Sequence, residues 1–207
     1  MGLTGVFTKP LNRAGAAAQN ALEVARFGGL ETGEEGSPYE VVAQRPVYRL
    51  RRYFPDATGD VGAPVLLVPP MMLAAEVYDV SPSSTGVGDL HAQGADPWVV
   101  DFGAPENEEG GLERNLADHV LAVSDAVDRV REATGRNVHL GGYSQGGMFC
   151  YQTAALRRSE GIASLITFGS PVDTAAAMPL GIPEEVAARI AGVLADSTLA
   201  RSAVPAW

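Results

Sequence analysis

Gly142-Tyr143-Ser144-Gln145-Gly146 is the one Gly-x-Ser-x-Gly pentapeptide in the chain. A serine hydroxyl can attack a carbonyl carbon when the backbone presents it on a sharp turn and nearby amides receive the oxyanion. The flanking sequence fits that use. An apolar run (NVHLG) precedes the pentapeptide and a helix-forming run (QGGMFCYQTAALRR) follows it, which is the strand-turn-helix of a nucleophile elbow. Gly142 and Gly146 keep neighbouring atoms clear of the turn, and the first amides of the next helix favour developing negative charge. Ser144 is therefore the expected nucleophile. An elbow of this kind takes one oxyanion donor from the residue after the serine, here Gln145, and another from the loop after an earlier strand. That loop is Val68-Pro69-Pro70-Met71-Met72. Neither proline has an N–H, so the second donor is expected at Met71, with Met72 as the second choice.

A serine needs a base, and here the pattern does not close. In such enzymes the acid and the histidine follow the serine in chain order, yet His91, His119 and His139 all precede Ser144. His139 lies five residues down the strand leading to the elbow, and at roughly 3.3 Å per residue it is too remote to act as the base. His91, near a helix end, and His119, on the edge of a helical stripe, read as structural. Asp173, in GSPVDT, is the one downstream carboxylate near a place where a triad acid could stand, against a competing role as a loop or cap residue. Asp101 reads as a turn residue and Cys150 as a small buried thiol without an activating partner. Arg49, Arg51 and Arg52, and Arg157 with Arg158, are the dense basic clusters. They read as solvated surface, with contact to the phosphates of a nucleotide-bearing substrate as the alternative.

The elements that position Ser144 are legible as short apolar runs separated by helical stretches. Strands are expected over Val65 to Val68, Trp98 to Phe102, Val138 to Gly141 and Ile162 to Phe168, with Val47 to Phe54 as an edge strand. Between two of them, Leu112, Leu116, Val120, Val123, Val127 and Val130 recur at helical spacing, and Gly135 stands where a C-cap belongs. Alternating strands and helices predict an α/β fold with a mainly parallel sheet. The expected organisation is an N-terminal helical arm and loop over residues 1–45, with a helix from Pro10 to Phe27, followed by one α/β domain over residues 46–207.

Composition narrows the function further. With 207 residues and 46% hydrophobic content the chain can bury a core, and its formal net charge of -10 repels nucleic acid and anionic lipid. A single cysteine excludes an internal disulfide and fits a reducing, cytoplasmic setting. No apolar run reaches the roughly 20 residues of a membrane span, and the N-terminus has neither the apolar stretch of a secretory signal nor a myristoylation motif. No metal-ligand cluster or dinucleotide fingerprint is visible, so no metal or redox cofactor is expected.

PVLLVPPMML, WVVDFGAPE, HLGGYSQGGMFCYQTAAL and SLITFGSPVDT, in that order and at these intervals, resemble the polyhydroxyalkanoate synthases and their α/β-hydrolase relatives, over roughly residues 61–174. The resemblance implies the α/β-hydrolase fold and an acyl-transfer chemistry in which the elbow residue takes an acyl group from a coenzyme A thioester and passes it to a hydroxyl. Position for position, it makes Ser144 the nucleophile and the Val68 to Met72 loop the oxyanion side. Coenzyme A would enter as part of a substrate. The polymerising synthases carry cysteine at the elbow where this chain has Ser144, which forms a less labile acyl-enzyme and depends on a histidine. The resemblance also places the acid, the histidine and the last strands beyond Trp207, in a missing C-terminal segment. Relatives of this kind also occur joined to acyl-CoA synthetase modules. Three readings stay open: an acyltransferase or hydrolase of acyl-CoA thioesters or hydroxyacyl esters, a general serine esterase or lipase-like hydrolase, and a non-catalytic partner at a lipid or polyester granule or in a larger protein.

Overall fold

Strands that are apolar at every position need cover on both faces. The computed structural model describes residues 36–57, 62–71 and 75–172, with the single positions 185, 186 and 189; the inner apolar strands have that cover, whereas Ile162–Phe168, at the end of the sheet among the described residues, leaves Leu165, Ile166 and Phe168 exposed. Its strands are β1 (Tyr39–Gln44), β2 (Arg49–Tyr53), β3 (Pro64–Val68), β4 (Asp79–Ser81), β5 (Ser84–Thr85), β6 (Asp96–Asp101), β7 (Val138–Tyr143) and β8 (Ile162–Phe168). The helices are α1 (Gly86–Ala92), α2 (Leu116–Thr134) and α3 (Gln145–Leu156). Six strands form one sheet in the order β1-β2-β6-β3-β7-β8, and β4 pairs with β5 apart from it. β6, β3, β7 and β8 run parallel, while β1 and β2 are joined antiparallel at one edge. β3 and β7 are therefore neighbours inside the sheet.

Because successive side chains of a strand point to opposite faces, each apolar run feeds two cores. Leu66, Val68, Trp98, Val100, Val138 and Leu140 pack with Val120, Val123, Val127 and Val130 of α2 and with Phe149 and Cys150 of α3. Leu67 and Val99 turn the other way and pack with Tyr53, Ala75 and Val87. Burying each such side chain is worth about 1.5–3 kcal/mol, so packing on both faces holds the inner strands in place. Among the described residues no helix is long and apolar enough to cross a membrane.

Several expectations shift. The antiparallel edge of the sheet is β1, lying within the stretch expected as arm and loop, while the Val47 to Phe54 stretch holds β2, inside the sheet; the compact unit to which the described residues belong starts at Gly36. Five of the six β1 residues are exposed and a bulge interrupts its register between Val41 and Ala43, so it shows no alternating pattern to read. The apolar stripe of α2 starts later than Leu112. Asn115 caps the helix, its side chain accepting from the Ala117 and Asp118 amides while the Asp118 carboxylate accepts from the Asn115 amide, and Leu112 falls in a separate short turn, exposed. Gly135 closes α2 at φ 68°. The helix expected from Pro10 to Phe27 lies outside the described residues.

The largest correction concerns the arginines. Arg49, Arg51 and Arg52 are ion-paired rather than solvated, because the antiparallel register sets Arg49 opposite Asp101 and Arg52 opposite Trp98. Asp101 receives Arg51 Nη2 at 2.6 Å, Arg49 Nε at 3.0 Å and the Gly103 amide at 2.9 Å. Arg51 also reaches Glu76 at 2.7 Å, and Arg49 reaches Glu108 at 2.9 Å. Arg52 pairs with Asp96 and covers the Trp98 ring, and Arg157 clamps Asp128 of α2 onto α3 at 2.6 Å. Asp101 is thus a buried hub as well as a turn residue.

Burial alone would raise the Asp101 carboxyl, but the Arg49 and Arg51 hydrogen bonds, the Arg51 charge and the Gly103 amide together hold it below the usual carboxylate range. A lowered folded value means that the contribution to stability is complete above the unfolded value, near about 3.9, and is lost as pH falls through the folded one. Asp101→Asn leaves two guanidiniums poorly compensated, so it should cost about 3–5 kcal/mol in urea unfolding at pH 7. The gap between variant and wild type should narrow below about pH 4.

Candidate active site

β7 delivers the chain to Tyr143, and α3 starts at Gln145, so Ser144 is the whole turn between them. Its backbone sits at φ 52°, ψ -119°, the mirror image of a type II corner that ordinarily belongs to glycine. Holding a serine there costs about 1–3 kcal/mol, which the surroundings must supply. The Ser144 amide donates to the Phe168 carbonyl at the end of β8 at 2.8 Å, and its carbonyl accepts from the Gly147 amide at 3.1 Å. Serine at a helix N-cap normally bonds the first turn through its hydroxyl. Ser144 makes no such side-chain bond, so the cap leaves Oγ unused.

Close packing explains the glycines. A Cβ on Gly142 would lie 2.5 Å from the Gly146 and Gly147 backbone, and one on Gly146 would lie 1.9 Å from the Val68 carbonyl oxygen and 2.8 Å from that of Pro69. The first turn of α3 therefore rests directly on the end of β3. This contact places the two expected oxyanion elements side by side: Gln145 on the helix, and the Val68–Met71 loop beneath it. Gln145 is the first helical residue, where the amide has no intrahelical partner. Met71 carries the first N–H after Val68 and packs against the larger core cluster. Met72 and Asp173 lie outside the described residues.

The three histidines are engaged elsewhere. His91 stacks on Phe54 with ring centroids 4.2 Å apart. His119 is buried, stacks on Phe149, and donates from Nδ1 to the Asn115 carbonyl at 2.7 Å. His139 pairs through Nδ1 with Ser164 Oγ at 2.8 Å across β7 and β8. Cys150 is enclosed, and burial pushes its thiol well up, away from thiolate. Among the described residues no group of three His, Cys, Asp or Glu side chains could hold a metal ion.

Two residues of the site have no clear mark in the sequence. A Cβ on Gly147 would lie 2.8 Å from Ser170 Cβ and 3.0 Å from the Gly142 carbonyl oxygen, so a side chain there would have to displace Ser170. Tyr78, at the end of a short turn after the Met71 loop, donates its hydroxyl to the Val68 carbonyl at 2.8 Å and accepts from the Tyr143 amide at 3.1 Å. Only the Gly-Gly pair after Gln145 hinted at the first of these close approaches.

No family model matches the chain. It is similar to the poly(3-hydroxyalkanoate) polymerase subunit PhaC of Haloferax mediterranei, 29% identical over 148 residues, which is 70% of this chain and 29% of that one. It is also similar to the subunit of the same name from Allochromatium vinosum, 31% identical over 112 residues, which is 53% of this chain and 31% of that one. The chain thus spans less than a third of these relatives' length. Among solved structures, a hypothetical protein from Pseudomonas aeruginosa superposes with TM-score 0.54 at 17% identity, over 81% of this chain and 53% of the other. The thioesterase domain from the curacin biosynthetic pathway superposes with TM-score 0.51 at 16% identity, over 77% and 52%. These likenesses show the fold, which is that of the α/β-hydrolases, with a mostly parallel central sheet.

The packing of the elbow yields a paired comparison. Gly135→Ala meets no atom within 4 Å and bears only backbone strain, so it should cost about 1–2 kcal/mol. Gly146→Ala must move the backbone of β3, and should cost about 3 kcal/mol or more by chemical denaturation.

Proposed function

We propose that this chain, an α/β-hydrolase fold similar in sequence to poly(3-hydroxyalkanoate) polymerase subunits, carries the nucleophile and oxyanion half of an acyl-transfer site. The observation that supports this most directly is the Ser144 backbone at φ 52°, ψ -119°, on a strand-to-helix turn whose glycines lie against the loop after β3. A strained serine in that position is what a nucleophile elbow uses. Ser144 Oγ bonds to the carbonyl carbon of a thioester or ester, and its proton passes to a base. The carbonyl oxygen takes the electron pair and is held by the Gln145 and Met71 amides. Collapse breaks the bond to sulfur or oxygen, and the leaving group regains the proton. A hydroxyl or water then accepts the acyl group.

The substrate class we favour is an acyl-CoA thioester or hydroxyacyl ester, with coenzyme A departing as the thiol. Arg49, Arg51, Arg52 and Arg157 all hold carboxylates, so none is offered as its phosphate contact. The base comes from outside the described residues. That the three histidines are each engaged elsewhere favours a second reading, in which the chain is a non-catalytic partner or works only within a larger protein. A cytoplasmic setting belongs to this proposal too.

The test is turnover by the protein as isolated from its source, with acyl-CoA and nitrophenyl esters as substrates and product resolved into transfer and hydrolysis. Ser144→Ala should lower kcat by about 10³-fold or more while the unfolding midpoint stays in place. Turnover retained in that variant would overturn the nucleophile assignment. No turnover by wild type with either substrate would favour the non-catalytic reading.

A further inference from the structure

β3 and β7 are paired as far as Val68 opposite Gly142, and one residue later the ladder changes character. The Tyr143 amide donates to Tyr78 Oη at 3.1 Å, and the same hydroxyl donates to the Val68 carbonyl at 2.8 Å. A phenol thus stands between an amide and a carbonyl at the point where the strands part. We propose that Tyr78 is a positioning residue, whose hydroxyl fixes the separation of the two strand ends from which the Met71 and Gln145 amides arise. The proposal rests on the reading of Ser144 as nucleophile.

The loop after β3 has little else to tie it to β7. Pro69 and Pro70 carry no N–H, so for two residues beyond Val68 the loop cannot bond the neighbouring strand through its own amides. Gly146 limits how near the loop can come, since it already touches the Val68 and Pro69 carbonyls. Tyr78 limits how far it can go. Two hydrogen bonds in series hold the strands wider than one direct bond of about 2.9 Å would, while still fixing their spacing. Tyr78 is itself anchored, because its turn starts at the fully buried Ala75 and its ring packs on the second core cluster. Burial pushes the phenol well above its ordinary value, so it keeps its proton and remains a donor to Val68 throughout the working range. The oxyanion donors lie three residues past Val68 and two past Tyr143, so a shift at the bridge passes directly to them.

Tyr78→Phe keeps the ring and removes the bridge. With the protein that shows Ser144-dependent turnover, kcat should fall by about 10- to 100-fold while KM stays within about twofold and the pH profile keeps its shape. Tyr48→Phe is the control: it removes a hydroxyl bonded to Asp125, on the face of α2, and should leave kcat unchanged. A second measurement stands apart from turnover. Amide hydrogen exchange at Tyr143 should be slow in the wild-type chain and about tenfold faster in Tyr78→Phe. Wild-type kcat in Tyr78→Phe, an equal loss in Tyr48→Phe, or unchanged exchange at Tyr143 would each overturn the proposal. If wild type shows no turnover, the Ser144 reading fails on its own terms and the exchange rates alone decide whether the hydroxyl holds the strands.

Discussion

The constraint on which the site depends is the contact between Gly146 and the carbonyls of Val68 and Pro69. A helix can start this close to a strand end only if its first turn carries no side chain there. Once it does, the chain between β7 and α3 has a single residue in which to reverse, and that residue must take a positive φ. Ser144 does so with bonds at both ends, its amide to Phe168 and its carbonyl to Gly147. The strain in one residue is therefore imposed by packing on either side of it.

Strand order turns that local geometry into a site. β3 and β7 come from segments about seventy residues apart in the chain, and the sheet sets them side by side. The loop after one and the turn after the other then face the same end of the sheet. β2 contributes rigidity instead, and the arginines concerned, Arg49, Arg51 and Arg52, all lie on it. They spend their charge on Asp101, Asp96, Glu76 and Glu108, pinning β2 to β6 and to the turn that carries Tyr78.

What the sequence made legible follows from how local each signal is. The inner strands show as apolar runs because both faces are covered, and the elbow shows because its glycines and serine are contiguous. β1 leaves no trace because it is exposed and bulged. The arginine pairs could not be foreseen because they depend on an antiparallel register between residues about fifty positions apart. Tyr78 acts on Tyr143 across a similar gap, and nothing in its neighbours announces it. The α2 stripe starts later than its apolar spacing suggests for a simpler reason: an Asn cap overrides apolar periodicity, and Leu112 lies before it.

The elbow carries a serine and the helix after it a cysteine, and their surroundings differ by placement alone. Cysteine is intrinsically the better nucleophile, but only as thiolate, and thiolate needs water or positive charge nearby. Cys150 faces the core between α3 and the sheet, where burial disfavours the anion. Ser144 stands half-buried at the positive end of the helix, with its hydroxyl unclaimed by the cap. On the proposed reading, the weaker nucleophile occupies a position where an attacking oxygen and a developing oxyanion would both be stabilised. Six positions separate a half-buried helix N-cap from an enclosed core site, and under that proposal the chemistry follows the position.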